Sequence, residues 1–241
     1  MNMRKRTFSL FLYLLVIVFL QQPLKAQLIK PDTLDIVYTK DFSLDGTGVN
    51  YNWGKAHSIS LQQLDEGLQG YETKFKVMYS AKGIYVLFTG KDLKSTSSYK
   101  NDFDDLYNAD VFEVFLHPDP STPLYFEYEV SPKDKELVLL IPNIDGKIMG
   151  WLPWHYEGER KVKKKIAFSY ENKQLIGWSV ELFFPYALLS PMRNIPPTKG
   201  TIWHGNFYRL DYDAGPMVKW AWSPVEKSFH EVKRFGVLRF E

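Results

Sequence analysis

The strongest constraint on this chain is its rhythm. Short segments of alternating apolar and polar residues follow one another, each cut off by Gly, Pro, Asn or Asp. From Thr73 to Tyr79, Phe75, Val77 and Tyr79 point one way and Lys74 and Lys76 the other. Ala81-Lys82-Gly83 then turns the chain into Ile84 to Thr89, which is apolar on both faces. Further on, Ile202, His204, Asn206, Tyr208 and Leu210 share one face of a segment, and Trp203, Phe207, Arg209 and Asp211 share the other. A period of two, repeated this often, dictates strands. A half-buried strand beside a fully buried one belongs to two stacked sheets.

The remaining strands read as Ile36 to Thr39, Val111 to Leu116, Tyr125 to Val130, Leu137 to Ile141, Ile166 to Tyr170, Gly177 to Phe184, Trp220 to Trp222 and Phe235 to Phe240. Asn143 to Lys165 reads as irregular, and Tyr186 to Leu189 as one helical turn. Aromatic residues at 16% of the chain suit strands better than helices. The expected fold is all-β: an antiparallel β-sandwich of two packed sheets with jelly-roll or immunoglobulin-like topology, forming one domain over residues 27–241.

Residues 1–26 read as a signal peptide. Arg4-Lys5-Arg6 precedes the apolar run Leu10 to Leu20, and a cleavage point follows Ala26. The run is shorter than the roughly 20 residues of a spanning helix, and a retained anchor is the alternative. Taking four basic residues from 30 leaves 26 against 28 acidic ones, a formal charge of −2 for the remainder. That balance gives no reason to expect nucleic acid. The expected location is exported: periplasmic, extracellular or at the cell surface, with no membrane contact after cleavage. There is no Cys, so packing or a metal must stabilise the fold without disulfides.

An ordered set of short motifs carries a family resemblance. They are Leu44-Asp45-Gly46 with Trp53 and Ala56; Ala109 to Phe115; Tyr125 to Val130; Gly177 to Glu181; Asn206 to Arg209; Trp220 to Pro224; Phe229-His230; and Arg234-Phe235-Gly236. Together they resemble the carbohydrate-binding module family 9-like domains, exported β-sandwiches associated with polysaccharide breakdown. The resemblance implies a sugar held between two aromatic rings and hydrogen-bonded by charged and amide side chains. It carries Arg209 and Trp222 over as ligand contacts, includes Asn206, and gives His230 a supporting place. The second Trp of the clamp has no counterpart between Lys94 and Asp110, where Tyr99, Phe103 and Tyr107 are the aromatics.

Sugar binding needs flat rings for CH faces and donors or acceptors for hydroxyls. Trp151 and Trp154 lie in a loop where a ring can face solvent, while Trp53, Trp178 and Trp203 read as core. Glu113 shares a strand face with Val111 and Phe115 and so needs a partner, either Arg209 or a hydroxylated ligand. Glu127 and Glu129 share another face, with Cα atoms roughly 7 Å apart. Glu127 is taken as a ligand contact. Asp102, Asp104, Asp105 and Asp110 are candidate ligands of a structural Ca²⁺. The basic run Arg160 to Lys165 reads as the guard of a strand edge.

The expected function is therefore carbohydrate binding without catalysis, in support of polysaccharide catabolism. Two alternatives stay open. One is a haem-binding redox module, for which Met149, Met217 and His155 are the candidate ligands. The other is a glycoside hydrolase using Glu127 and Glu129.

Overall fold

The computed structural model describes residues 32–66 and 70–241, so the expected signal peptide lies outside the described residues. The strands are β1 (Thr33–Tyr38), β2 (Ile59–Ser60), β3 (Gln62–Gln63), β4 (Thr73–Tyr79) and β5 (Gly83–Lys91). There follow β6 (Val111–His117), β7 (Leu124–Val130), β8 (Glu136–Ile144), β9 (Lys147–Ile148) and β10 (Leu152–Pro153). The last are β11 (Lys163–Glu171), β12 (Gln174–Pro185), β13 (Ile202–Asp211), β14 (Val218–Ala221) and β15 (Gly236–Phe240). Only short 3₁₀ segments interrupt them among the described residues, and Tyr186 to Leu189 forms consecutive turns instead of a helix.

The strand order is β10-β8-β7-β6-β13-β15-β1-β4-β5-β12-β11. The first half forms one sheet and the second half the other. β1 belongs to both: Thr33 to Ile36 pair with β15, and Val37 and Tyr38 pair with β4. Both of its pairings are parallel, while the other strand pairs of the described residues are antiparallel. The sandwich is thus mostly antiparallel, with one strand stitching its two layers together. β11 is the outermost strand of its sheet and carries Lys163, Lys164 and Lys165, which discourage pairing with another chain.

The alternation seen in the sequence decides what lies between the sheets. Phe75, Val77, Val86, Phe88, Phe112, Val114, Phe126, Tyr128, Val180, Leu182, Trp203 and Phe207 all face inward and are buried. Rings stack across the two layers, Phe75 on Phe207 at 4.2 Å and Phe88 on Phe112 at 4.8 Å, with Trp178 continuing the stack 4.1 Å from Phe112. Trp53, Trp178 and Trp203, read as core, are each buried.

Each sheet also covers a smaller cluster on its outer face. One, around Trp53, Tyr85 and Phe183, lies under the 42–56 segment. Glu181 holds that segment down, accepting from the backbone N–H groups of Asp45 (2.6 Å), Gly46 and Gly48 and from Trp53 Nε1 (2.7 Å). Gly46, at φ +88°, passes so close to the backbone of Lys165 and Ile166 that a Cβ would stand 2.9 Å from it. The other outer cluster, on β6, β7, β8 and β13, holds the candidate site.

Candidate functional site

On β6, Val111, Glu113 and Phe115 face away from the sandwich interior, and on β7 so do Tyr125, Glu127 and Glu129. The strand register places Glu113 beside Glu129 on one side and beside Tyr208 of β13 on the other. Glu127 stands beside Phe115 and Leu139. Three carboxyl groups therefore share one patch of sheet, walled by Phe115, Tyr125, Leu137, Leu139, Ile141 and Tyr208. Tyr99, Phe103 and Leu106 pack on it from one loop, and Phe229, Val232 and Phe235 from another.

His230 sits over this patch. Its Nδ1 shares a hydrogen bond with the Tyr125 hydroxyl at 2.6 Å and lies 3.7 Å from Glu127 Oε2, too far for a hydrogen bond. Asn143, on β8, donates from Nδ2 to the His230 carbonyl at 3.2 Å. Trp151 is 58% exposed and meets His230 edge-on with ring centroids 6.3 Å apart. Trp151, His230, Glu127 and Asn143 thus lie within one neighbourhood.

The polar groups here are unusually short of partners. Glu127 Oε2, Glu129 Oε2 and Asn143 Oδ1 are buried and make no hydrogen bond. Burial pushes all three carboxyls up: Glu127 to about 8, and Glu113 and Glu129 well above the usual carboxylate range, the latter two pushed further by neighbouring carboxyls. A hydrogen bond to Glu129 offsets part of the rise at Glu127. Burial holds His230 down at about 4, so it is neutral and suited to accept from Tyr125.

Arg209 and Trp222 occupy different ground from the one the resemblance implied. Arg209 is fully buried on the opposite face of β13, pointing into the sandwich, so it pairs with neither Glu113 nor a ligand at this patch. Its Nη1 donates to the Thr73 hydroxyl (2.9 Å) and the Lys91 carbonyl (2.7 Å), and its Nη2 to Asp92 and Asp211. The rings of Trp220, Tyr71 and Phe112 lie 5.2–5.6 Å from its guanidinium carbon. Trp222 is 5% exposed and packs in the core against Phe75, Phe207 and Gly236. Both assignments to ligand are corrected for one reason: each side chain is turned inward and packed in the interior, out of a ligand's reach.

Two further assignments change. Asn206 is buried and occupied by the protein itself, donating to Tyr208 Oη and the Ser223 carbonyl and accepting from the Ser223 and Phe207 N–H groups. Trp154 is half-buried, its Nε1 donating to the Leu188 carbonyl and its ring under Arg160. Glu113, Glu127, Tyr99, Trp151 and His230 do converge on the patch. Glu129, Tyr125 and Asn143 join them without having been singled out as ligand contacts. The alternation already put Glu129 beside Glu127, but the register that puts it beside Glu113 is visible only in the fold.

The acidic loop is rearranged too. Asp102 accepts from the Glu136 N–H, and Asp104 from Lys100 and Asn101, so each is tied locally. Only Asp110 of the four enters a potential metal-binding group, with Asp92, Asp211 and Asp213, whose carboxylate oxygens lie within 4.8 Å of one another. Asp110 accepts from the Thr96 and Tyr212 N–H groups, and Asp213 from the Thr96 hydroxyl. Burial raises both Asp92 and Asp110 to about 7, although Arg209 opposes the rise at Asp92. Four acids against one Arg suit a hard, oxygen-seeking ion. Of the residues considered for haem, Met149 is exposed, His155 stacks on Phe103, and the Met217 sulfur accepts from Tyr212.

Known structures agree with this architecture at low sequence identity. A Bacteroides uniformis ATCC 8492 protein named for a proposed carbohydrate-binding role superposes with a TM-score of 0.72 at 16% identity, over 88% of this chain and 100% of that one. A carbohydrate binding module family 9 protein from Caldicellulosiruptor kristjanssonii, in complex with cellotriose, gives 0.62 at 16% identity over 87% and 94% of the two chains. The glucose complex of such a module from the same organism gives 0.59 at 16% identity over 86% and 95%. No curated protein sequence matches the chain. The family model "Carbohydrate family 9 binding domain-like" matches residues 44–137, a span that includes Glu113, Glu127 and Glu129 and ends before Arg209 and Trp222. Residues 44–137 thus match the carbohydrate family 9 binding domain-like model, within a β-sandwich whose fold is that of the family 9 modules.

Proposed function

We propose that this protein binds a carbohydrate at the patch formed by Glu113, Glu127, Glu129, Asn143, His230 and Trp151. The observation that carries the reading is the set of three buried, unpartnered acceptors, Glu127 Oε2, Glu129 Oε2 and Asn143 Oδ1, beside an exposed indole. Buried acceptors without donors are costly, about 1–3 kcal/mol each, and sugar hydroxyls supply donors while the indole takes the CH face of the ring. The family 9 match and the sugars held by its structural neighbours support the same class of ligand.

The proposal extends to setting. Arg4-Lys5-Arg6 and the following apolar run support export, and a binding role beside polysaccharide-degrading enzymes follows. It is non-catalytic: Glu127 and Glu129 lie side by side on one strand, whereas a glycosidase sets its two carboxyls on either side of the scissile bond. Titration calorimetry with glucose, cellotriose and a panel of other saccharides tests the proposal. Trp151→Ala should weaken binding at least tenfold with the fold intact. Undiminished binding by that variant would remove Trp151 from the site, and absence of binding across the panel would overturn the function.

A further inference from the structure

The carboxyl patch gathers three buried acids and no cation. Glu113, Glu127 and Glu129 are 2%, 4% and 2% exposed, and among the described residues no Lys or Arg forms an ion pair with any of them. Arg209, on β13, lies on the other face and is paired there through Nη2 with Asp92 and Asp211. The groups that surround the patch add no positive charge. Tyr125 and Tyr208 stand on the sheet, Tyr107, Tyr212 and Asp105 act on it from the loops, and neutral His230 caps it.

An independent feature points the same way. Asn143, on the neighbouring strand and 6% exposed, has its Nδ2 fixed on the His230 carbonyl, which leaves Oδ1 as another buried acceptor without a donor. Asn143 Oδ1 is an acceptor whatever the protonation of the glutamates beside it. An occupant rich in donors suits the patch, and among the described residues no Lys or Arg there competes with a charged one.

A divalent metal fits poorly. Metal–oxygen distances of about 2.3–2.6 Å require ligand oxygens to crowd together. Among the described residues only Asp92, Asp110, Asp211 and Asp213 have carboxylate oxygens grouped within 4.8 Å. The three glutamates do not form such a group. An ammonium group with three N–H donors, attached to a ring bearing further hydroxyls, offers donors to several of these acceptors at once and presents a ring face for Trp151.

We propose that this patch selects an amino sugar, a hexose bearing a free protonated amine, over the corresponding neutral or N-acetylated hexose. The inference rests on the sugar-binding reading above and narrows its ligand class. Charge-assisted hydrogen bonds are roughly twice as strong as neutral ones. Ammonium binding also ionises a carboxyl that is otherwise held protonated, releasing a proton to the solvent.

The test is calorimetry of the purified protein at pH 7 with glucosamine, glucose, N-acetylglucosamine and cellotriose, in two buffers of different ionisation enthalpy. Glucosamine should bind at least tenfold more tightly than glucose or N-acetylglucosamine, with a heat that differs between buffers. Glu127→Gln and Glu129→Gln should each remove most of that preference. Equal affinity for the three monosaccharides, or a preference unchanged in both variants, overturns the amine selectivity while sugar binding stands. Failure of all four sugars to bind overturns both readings. Should the variants not fold, the buffer dependence of the wild-type heat decides alone: identical heats in the two buffers, hence no proton release, overturn the inference.

Discussion

Replacing Glu127 by Gln should stabilise this protein at alkaline pH and leave it nearly unchanged at pH 5. The carboxyl is 4% exposed and burial raises it from 4.5 to about 8. A carboxyl with a raised folded-state value keeps its proton where the unfolded chain releases it. Its stabilising contribution is full below about pH 4.5 and is lost as pH rises toward 8. The full displacement corresponds to about 5 kcal/mol at 1.36 kcal/mol per unit. Integrating proton binding between pH 5 and pH 8 gives a loss on the order of 3 kcal/mol from this one group. Gln keeps the shape of the protonated acid and cannot ionise. Urea unfolding of both proteins at pH 5 and pH 8 reads the glutamate cluster, because shifts outside it, as at His117 and His204, are common to both and cancel in the difference. The variant should gain about 3 kcal/mol relative to wild type between the two pH values. Parallel behaviour of the two proteins would refute the claim that Glu127 is buried as an acid without a compensating charge.

Arg209→Leu should destabilise the fold by about 3 kcal/mol or more, because it strands Asp92 and Asp211 in the interior; urea unfolding checks this. Gly236→Ala should cost about 1–3 kcal/mol in the same assay, since the added methyl meets the Trp222 ring 2.9 Å from Cε3 and closer still at Cζ3 and Cη2. Millimolar Ca²⁺ should raise the melting temperature by a few degrees through Asp92, Asp110, Asp211 and Asp213, and EDTA should reverse it. Asp213→Asn, followed by thermal melts with and without Ca²⁺, should abolish the response.

Much of the architecture was legible because strands advertise themselves by period two. The faces assigned to Ile202 through Asp211 hold residue by residue in β13, and the hairpin Thr73 to Thr89 forms β4 and β5. The same alternation already grouped Arg209 with Trp203 and Phe207, which is the face that became core. Reading Arg209 as a ligand contact set the family resemblance above that local evidence. Trp222 was harder to place, because it lies just beyond β14. Its burial depends on its N–H donating to the Phe207 carbonyl and on space left by Gly236, neither of which spacing reveals. Strand register is likewise a property of the assembled sheet. The three glutamates could be placed on strand faces, but their meeting depended on how β6 and β7 slide past each other. The group of four acids gathers Asp92, Asp110 and the pair Asp211 and Asp213 from three separate segments, so the local acid-rich run around Asp102 drew attention to the wrong neighbours.

β13 separates two kinds of buried charge, and the comparison says why one is structure and the other a site. On its inner face, Arg209 is met by two carboxylates, a backbone carbonyl and a hydroxyl, and three rings enclose it. Opposite charges and directed hydrogen bonds offset most of the desolvation there, with Nε the one guanidinium nitrogen left without a partner. Through the same sheet, Tyr208 looks out on three carboxyls that share no cation and on acceptors that have no donor. Burial of that kind persists only if packing elsewhere over-determines it, and the stacked core of Phe75, Phe88, Phe112, Phe207 and Trp178 supplies such packing. A bound amine or donor-rich sugar would turn the deficit into affinity, because desolvation of the carboxyls is already complete before the ligand arrives. The discriminating quantity is therefore the sign of the coupling between ligand and stability. Filling the patch should raise the melting temperature more at pH 8, where the empty patch is least stable, than at pH 5. A ligand effect equal at both pH values would place the binding site somewhere other than the three glutamates.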